Sequence, residues 1–200
     1  MSGEERSEPI ISITGRRIAF GPIAGEHILV RERWFNDFVV HRVAGIAMRP
    51  RTREEVTTQY DGAARYEAGV TFALYERATW DLIGVTSLQE IDYRNRTAEF
   101  GIVIGETAYQ GKGYGTEATR LMLDYAFIGL GLHSVWLQTY TYNHAGQRAF
   151  AKAGFKECGR RREAQRMGAQ MWDVIMMECL ASAFVSPVLA SVFAPDEPRS

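Results

Sequence analysis

Residues 98–127 read AEFGIVIGETAYQGKGYGTEATRLMLDYAF, and this stretch decides the fold. Ala98 to Ile104 alternates in the manner of a strand, and Glu117 to Phe127 carries apolar residues at helical spacing. Between them lies the turn Gln110-Gly111-Lys112-Gly113-Tyr114-Gly115-Thr116. Its alternating glycines lack Cβ atoms, so several backbone N–H groups can converge on one point. A helix starting near Thr116 aims the positive end of its dipole at the same point. Strand, glycine turn and helix in that order make an anion site, most often for a phosphate. Two common phosphate motifs fail. The P-loop spacing breaks because Gly105 is one residue too far from Gly111-Lys112, and Gly113 follows the lysine. The dinucleotide fingerprint breaks at its third glycine, where Thr116 stands.

Working outward, the segments before the turn read as an antiparallel meander: Val70 to Glu76, Leu82 to Ile91 and Ala98 to Ile104, joined by short polar turns. After the helix, Ser134 to Tyr140 is a strand expected to lie parallel to Ala98–Ile104, because a helix connects the two. Asn143 to Ala153 is a helix stopped by Gly154, and Phe155–Arg161 with Met171–Leu180 form a closing hairpin around Gly168. Toward the N-terminus, Ile10 to Phe20 reads as one strand kinked at Gly15, and Gly25 to Phe35 as a helix that Asp37 to Val43 extends. Thr52 with Glu55 forms a capping box that opens a helix reaching about Tyr66.

The pattern Gln110-x-x-Gly113-x-Gly115 resembles the acetyl-CoA pyrophosphate loop of the GNAT N-acetyltransferases. Asn143, followed by Ala149-Phe150-x-Lys152-x-Gly154-Phe155, is similar to the segment of that family in which an Asn opens a helix ending in Gly-Phe. Trp34-Phe35-Asn36-Asp37, Arg162-Glu163-Ala164 and Trp172-Asp173-Val174 resemble its RimJ/RimL subgroup. The resemblance implies an α+β fold with a mixed, mostly antiparallel sheet, a parallel pair splayed at the acetyl-CoA slot, and helices on both faces. It places the domain at residues 10–180, after a polar tail expected to be disordered (1–9) and before an apolar extension (181–200). Phe184, Val185, Val188, Leu189, Val192 and Phe193 in that extension fall at helical spacing. They suit packing on the domain itself, a homodimer contact, or a cover over the cleft.

The family's reaction is acetyl transfer from acetyl-CoA to an amine, with no metal. The resemblance therefore implies a pantetheine arm paired with backbone groups of Val103 and Ile104. It puts the pyrophosphate on Gly111, Gly113, Tyr114, Gly115 and Thr116. Lys112 is a candidate charge for the phosphates or a solvated loop lysine. Asn143 contacts the pantetheine, caps its helix, or does both. The attacking amine must lose a proton, and Glu99 beside the thioester is the first candidate base, Glu163 the second. Glu99 could instead pair with Arg96. The family often protonates the departing thiolate from a Tyr in the Asn helix, or from a Ser nearer its start; here those positions hold Phe150 and Gly146. Tyr140 and Tyr142 are the nearest substitutes, Tyr140 at the strand end facing the slot.

Bulk composition narrows the rest. Two hundred residues with 46% apolar content suit one domain with a real core. A net charge of −1 argues against nucleic-acid binding by bulk electrostatics. Cys158 and Cys179 fit free thiols in a reducing cytoplasm, and no apolar run approaches a membrane span. The expected acceptor is a protein N-terminus or a small-molecule amine such as an antibiotic, amino sugar or polyamine. The arginines from Arg148 to Arg166 fit a solvated strand edge, or help with the CoA 3′-phosphate or an acidic acceptor. Glu26, Asp37, Glu54 and Glu55 are the carboxylates that a polyamine would meet on the N-terminal helices.

Overall fold

The structure is a computed structural model that describes residues 9–44, 49–58 and 69–196. Eight strands form one sheet: β1 (Ile13–Thr14), β2 (Ile18–Pro22), β3 (Val70–Glu76), β4 (Leu82–Asp92), β5 (Thr97–Ile104), β6 (Ser134–Tyr140), β7 (Lys156–Met167) and β8 (Gln170–Leu180). Their spatial order is β1-β2-β3-β4-β5-β6-β8-β7. Every neighbouring pair is antiparallel except β5 and β6. The expected mixed sheet with one parallel pair is therefore present. β7, which carries the arginine-rich segment, is an edge strand.

The register of β5 sorts its side chains by parity. Phe100 is buried and packs on Phe150 and Phe155, with ring centroids 6.1 and 5.8 Å away. Ile102 and Ile104 join the same core. The opposite parity, Glu99, Gly101 and Val103, faces helices α1 (Ile28–Asn36) and α2 (Phe38–Ala44). Helix α3 (Tyr114–Asp124) covers the Phe100 face together with α4 (His144–Ala153). Ala118, Leu121, Met122 and Ala126 are buried as their spacing predicts. Leu123 and Asp124 are buried as well, because the C-terminal segment wraps the far side of α3.

Several boundaries differ from the sequence reading. Ile10–Phe20 is a β1–β2 hairpin, not a kinked strand: the Gly15 N–H donates to the Ile18 carbonyl at 2.9 Å and reverses the chain. A Cβ at Gly15 would sit 2.6 Å from Leu121 Cδ1, so the turn lies directly on α3. The expected N-terminal helix opens with a 3-10 turn, Gly25–His27, and Asp37 separates α1 from α2. α3 starts at Tyr114, two residues before Thr116, and runs into a π-helical turn at Tyr125–Gly129. The capping box forms, with Glu55 N–H to Thr52 Oγ1 at 3.3 Å and Thr52 N–H to Glu55 Oε2 at 3.2 Å. Residues 53–58 are helical, and the remainder of that expected helix lies outside the described residues, as does most of the 1–9 tail.

The apolar extension is not one helix. It is a 3-10 turn (Ala181–Ala183), an irregular stretch, and a four-residue helix α5 (Leu189–Val192). Leu189 is buried, and the Phe184 ring packs on Phe127 at 5.3 Å. Asp124, fully buried, accepts the N–H groups of Val188 at 2.9 Å and Leu189 at 2.8 Å. Val185, Val192 and Phe193 remain exposed.

Candidate active site

β5 and β6 are in register only at Thr97–Ser134, Ala98–Val135 and Glu99–Trp136. Beyond Glu99 both strands continue without pairing to each other, β5 to Ile104 and β6 to Tyr140. The sheet opens there into a cleft of about 870 Å³. The antiparallel ladder fixes which backbone groups face it. Gly105 N–H donates to Ile83 at 2.9 Å, so Gly84–Ile104 is a non-hydrogen-bonded pair and Val85–Val103 a hydrogen-bonded one. Val103 therefore spends its own N–H and C=O on β4, while its side chain lines the cleft. The backbone groups of Ile102 and Ile104 point into the opening. Val103, expected as a backbone partner, thus has its amide engaged by β4, and Ile102 is the neighbour, not singled out from the sequence, whose backbone faces the opening.

The glycine turn closes one end of the cleft. The Gln110 side chain donates from Nε2 to the Ile104 carbonyl at 2.8 Å, which ties the loop to the strand end. Gly111 and Gly113 hold φ of 71° and 87°, a region that favours glycine. Gly113 is the N-cap of α3 and supplies no side chain to cap it, and the first intrahelical bond is Glu117 N–H to the Gly113 carbonyl at 3.2 Å. The N–H groups of Tyr114, Gly115 and Thr116 have no intrahelical acceptor. A Cβ at Gly111 would meet nothing within 4 Å, so the cradle is open. Converging N–H donors, an open approach and the helix dipole suit a pyrophosphate, and the adjoining slot suits an extended arm with alternating amides.

Gln110, Gly111, Gly113, Gly115 and Thr116 line the cleft. Lys112 and Tyr114 do not. Lys112 is exposed, and Tyr114 turns away to pack against the Tyr109 ring at 5.5 Å. Asn143 lines the cleft and caps α4: its Oδ1 accepts the Gly146 N–H at 3.0 Å, and its Nδ2 reaches Thr139 Oγ1 at 3.3 Å. A Cβ at Gly146 would lie 2.8 Å from Asn143 Cγ, so a side chain there obliges the Asn143 amide that makes the cap to shift.

The other end carries the titratable groups. Glu99 is half-buried and is the one carboxylate lining the cleft among the described residues. Burial raises its pKa, with Glu90 on β4 adding to the effect. Arg96 turns elsewhere, its Nε donating to the Gly131 carbonyl at 2.8 Å. Tyr140 is pushed up by burial and then by the Glu99 charge, so the two groups sense one another. Tyr142 is pushed up to about 12, by burial first and Tyr140 second. The two rings stack at 5.1 Å and 12°, Trp172 meets Tyr142 edge-on at 5.4 Å, and the Tyr142 hydroxyl donates to the Arg42 carbonyl of α2 at 2.7 Å. This aromatic wall, with α2, bounds the side of the cleft that Glu99 faces. Phe150 lines the opposite side.

Glu163 is not brought to the cleft. A register shift between Arg161 and Gln165 bulges β7, Glu163 adopts a φ of 48°, and its N–H donates to Asp173 Oδ1 at 2.9 Å while its side chain is exposed. Glu26, Asp37, Glu54 and Glu55 also lie away from the lining; Asp37 caps α2 through the Val39 N–H at 2.8 Å, and Glu55 pairs with Arg49 at 2.8 Å. Of the basic cluster, Arg148 and Lys152 reach the cleft. Among the described residues, no three His, Cys, Asp or Glu side chains converge as a metal site.

Comparison with known proteins fits this geometry. Residues 17–156 match the acetyltransferase (GNAT) domain family. Spermidine N(1)-acetyltransferase of Vibrio cholerae is 34% identical over 111 residues, covering 56% of this chain and 64% of that protein. The Escherichia coli K12 protein of the same name is 39% identical over 72 residues, covering 36% of this chain and 38% of that protein. The chain thus matches less than two thirds of the length of either relative. The crystal structure of spermidine N-acetyltransferase from Vibrio cholerae, in complex with CoA and spermine, superposes with a TM-score of 0.78 at 25% identity, covering 84% of this chain and 97% of that one. None of these names the RimJ/RimL subgroup.

Proposed function

The chain belongs to the GNAT acetyltransferase family, and from that premise we propose that it transfers the acetyl group of acetyl-CoA to a small-molecule amine, with a polyamine as the first acceptor to test. The observation that carries this reading is the opened β5–β6 pair, which runs from an uncapped helix N-terminus at one end to Glu99 at the other. Acetyl-CoA supplies the thioester carbonyl that the amine attacks. The N–H groups of Tyr114, Gly115 and Thr116 hold its pyrophosphate, and the backbone of Ile102 and Ile104 holds its pantetheine.

Glu99 acts as the base. An alkylamine is almost wholly protonated at neutral pH, and a carboxylate with a raised pKa is better matched to take its proton than an ordinary one. Tyr140, protonated at neutral pH like any phenol and pushed further up by burial, donates to the departing thiolate in place of the residue that Phe150 replaces. The Tyr140–Tyr142 faces also favour a cationic acceptor, since an ammonium over an aromatic ring gains about 0.5–2 kcal/mol. The named relatives act on spermidine, which shifts the expected acceptor from a RimJ/RimL-type protein N-terminus toward a polyamine. Phe150 and Gly146 favour a second reading, a non-catalytic acyl-CoA sensor.

Thiol release from acetyl-CoA, followed with a chromogenic disulfide reagent, tests both. The panel holds spermidine, spermine, an aminoglycoside, an amino sugar and short peptides with free N-termini. Release with the polyamines is expected. Release with peptides alone would restore the RimJ/RimL expectation. A melting temperature raised by CoA without release under any condition would favour the sensor, and the absence of both the shift and the release would refute the acetyl-CoA site.

A further inference from the structure

We propose that Arg17, on the turn between β1 and β2, is the residue that positions the glycine loop for pyrophosphate binding; this rests on the acetyl-CoA reading above. Lys112 was the only cation that the sequence placed at the loop, and its side chain does not line the cleft. Its carbonyl, however, is held by Arg17 Nη1 at 3.0 Å. The same guanidinium donates from Nε to Glu117 Oε2 at 3.1 Å, and the Arg17 backbone N–H donates to Glu117 Oε1 at 2.7 Å. Its Cζ lies 4.7 Å from the centroid of the Tyr114 ring. One side chain therefore grips the residue before Gly113, the residue after it, and the first turn of α3.

The arrangement answers a physical problem. Gly111 and Gly113 give the loop its shape, and the same freedom leaves it poorly determined by its own sequence. A cradle that must present three N–H groups to one anion needs an external brace, because each backbone residue left free to move costs ordering entropy on binding. The planar fork of an arginine can bond two acceptors at fixed angles, which a lysine cannot. Glu117 sits in the first turn of α3, where the helix dipole favours its charge. The turn that carries Arg17 is itself held: the Arg77 N–H donates to the Arg17 carbonyl at 2.9 Å, and Arg77 Nη1 reaches the Gly15 carbonyl at 2.9 Å. A Cβ at Gly113 would lie 3.0 Å from Arg17 Nη2, so brace and glycine are fitted to one another. That guanidinium nitrogen also leaves a positive charge beside the N–H cradle.

The test compares two acetyl donors. Acetyl-CoA carries the pyrophosphate; the acetyl thioester of N-acetylcysteamine carries the reacting end without it. Arg17→Ala should raise the KM for acetyl-CoA about tenfold, the scale of a lost hydrogen bond to a charged group, with kcat within about twofold. Kinetics with the truncated donor should be unchanged. Arg17→Lys should resemble Arg17→Ala, and Glu117→Gln should fall between Arg17→Ala and the unmodified chain. An equal loss with both donors would mean a general structural role and overturn the proposal, as would an unchanged KM for acetyl-CoA. CoA binding to the unmodified chain, measured by calorimetry, separates this from the premise: no binding there refutes the acetyl-CoA site, whereas binding that Arg17→Ala leaves intact refutes the brace.

Discussion

Gly105, where β5 ends, is predicted to tolerate no side chain, and the cost of one can be worked out from its neighbours. An added Cβ would lie 2.5 Å from Trp34 Cγ and closer still to Cδ2 and Cε2. Ordinary contact begins near 3.4 Å, so ring and backbone must separate by about 1.3 Å at Cδ2, the nearest atom. Neither yields readily. The backbone is pinned by Gly105 and Glu106 N–H groups that both donate to the Ile83 carbonyl, at 2.9 and 3.2 Å. The ring is 5% exposed, and its Nε1 donates to Glu106 Oε1 at 3.0 Å. Overpacking costs about 1–3 kcal/mol. Weakening a hydrogen bond to a charged group adds about 1.5 kcal/mol.

Gly105→Ala should therefore destabilise by about 3 kcal/mol and lower the melting temperature by roughly 6–12 °C in a chain of this size. Trp34 belongs to α1, which packs against α2, and α2 lines the Glu99 side of the cleft, so on the proposed function the KM for the amine should rise more than the KM for acetyl-CoA. Thermal melts of Gly105→Ala, Trp34→Ala and the double variant form a cycle. Removing the ring removes the clash, so the Gly105→Ala penalty should nearly vanish in the Trp34→Ala background. Gly159→Ala is the control, because a Cβ there meets nothing within 4 Å. A Gly105→Ala melt within about 2 °C of the unmodified chain would refute the reasoning, and so would an undiminished penalty without Trp34.

Glu99→Gln should cut kcat by about 10²–10³ and abolish the acid limb of the pH–rate profile, whose midpoint should lie above the 4.5 of an ordinary Glu. Burial raises the folded pKa, so ionisation opposes folding above the unfolded value; Glu99→Gln should thus raise the melting temperature at pH 7–8 and lose that advantage below about pH 4.5. Tyr140→Phe should lower kcat about 10²-fold with little change in the KM for acetyl-CoA, and Phe150→Tyr in that background should recover part of it; both are read by thiol release. Asp124→Ala leaves the N–H groups of Val188 and Leu189 without their acceptor, so it should cost about 2–3 kcal/mol in a denaturant melt and expose the chain after Phe184 to limited proteolysis; Asp124→Asn, which keeps an acceptor oxygen, should be milder.

Local signals carried most of the fold and one end of the site. Gly111 and Gly113 announce the turn because both hold a positive φ that favours glycine. Asn143 and Gly154 mark the two ends of α4 by capping chemistry that depends only on near neighbours. The parallel placement of β5 and β6 follows from the helix between them. The brace was silent for the opposite reason. Arg17 and Glu117 are 100 positions apart, and nothing around either residue marks the other. The same holds for Asp124 and Val188, 64 positions apart, which turn an apolar run with helical spacing into an irregular strap.

On β5 the expected backbone partners shift by strand parity, and on β7 a bulge displaces the expected side chain. In a strand, one residue of register exchanges both the face of a side chain and the direction of a backbone N–H. A motif can therefore name a strand correctly and still misassign every group on it. On β5 the phase is set by β4: Thr86 Oγ1 donates to the Gly101 carbonyl at 3.0 Å, and Gly105 N–H donates to Ile83 at 2.9 Å. These bonds turn the Val103 backbone inward to the ladder and leave the backbone of Ile102 and Ile104 facing the opening, where the Ile104 carbonyl accepts from Gln110 Nε2. On β7 two extra residues stand between Arg161 and Gln165, so the strand keeps its phase, and Glu163 leaves the ladder because it sits inside that bulge with a φ of 48°. Glu99 lines the cleft as expected from its position, because it lies at the last paired position of β5 and β6, where the register is still held from both sides. Its face is fixed by the same pairing whose end opens the cleft, so the carboxylate and the slot are set by one structural event.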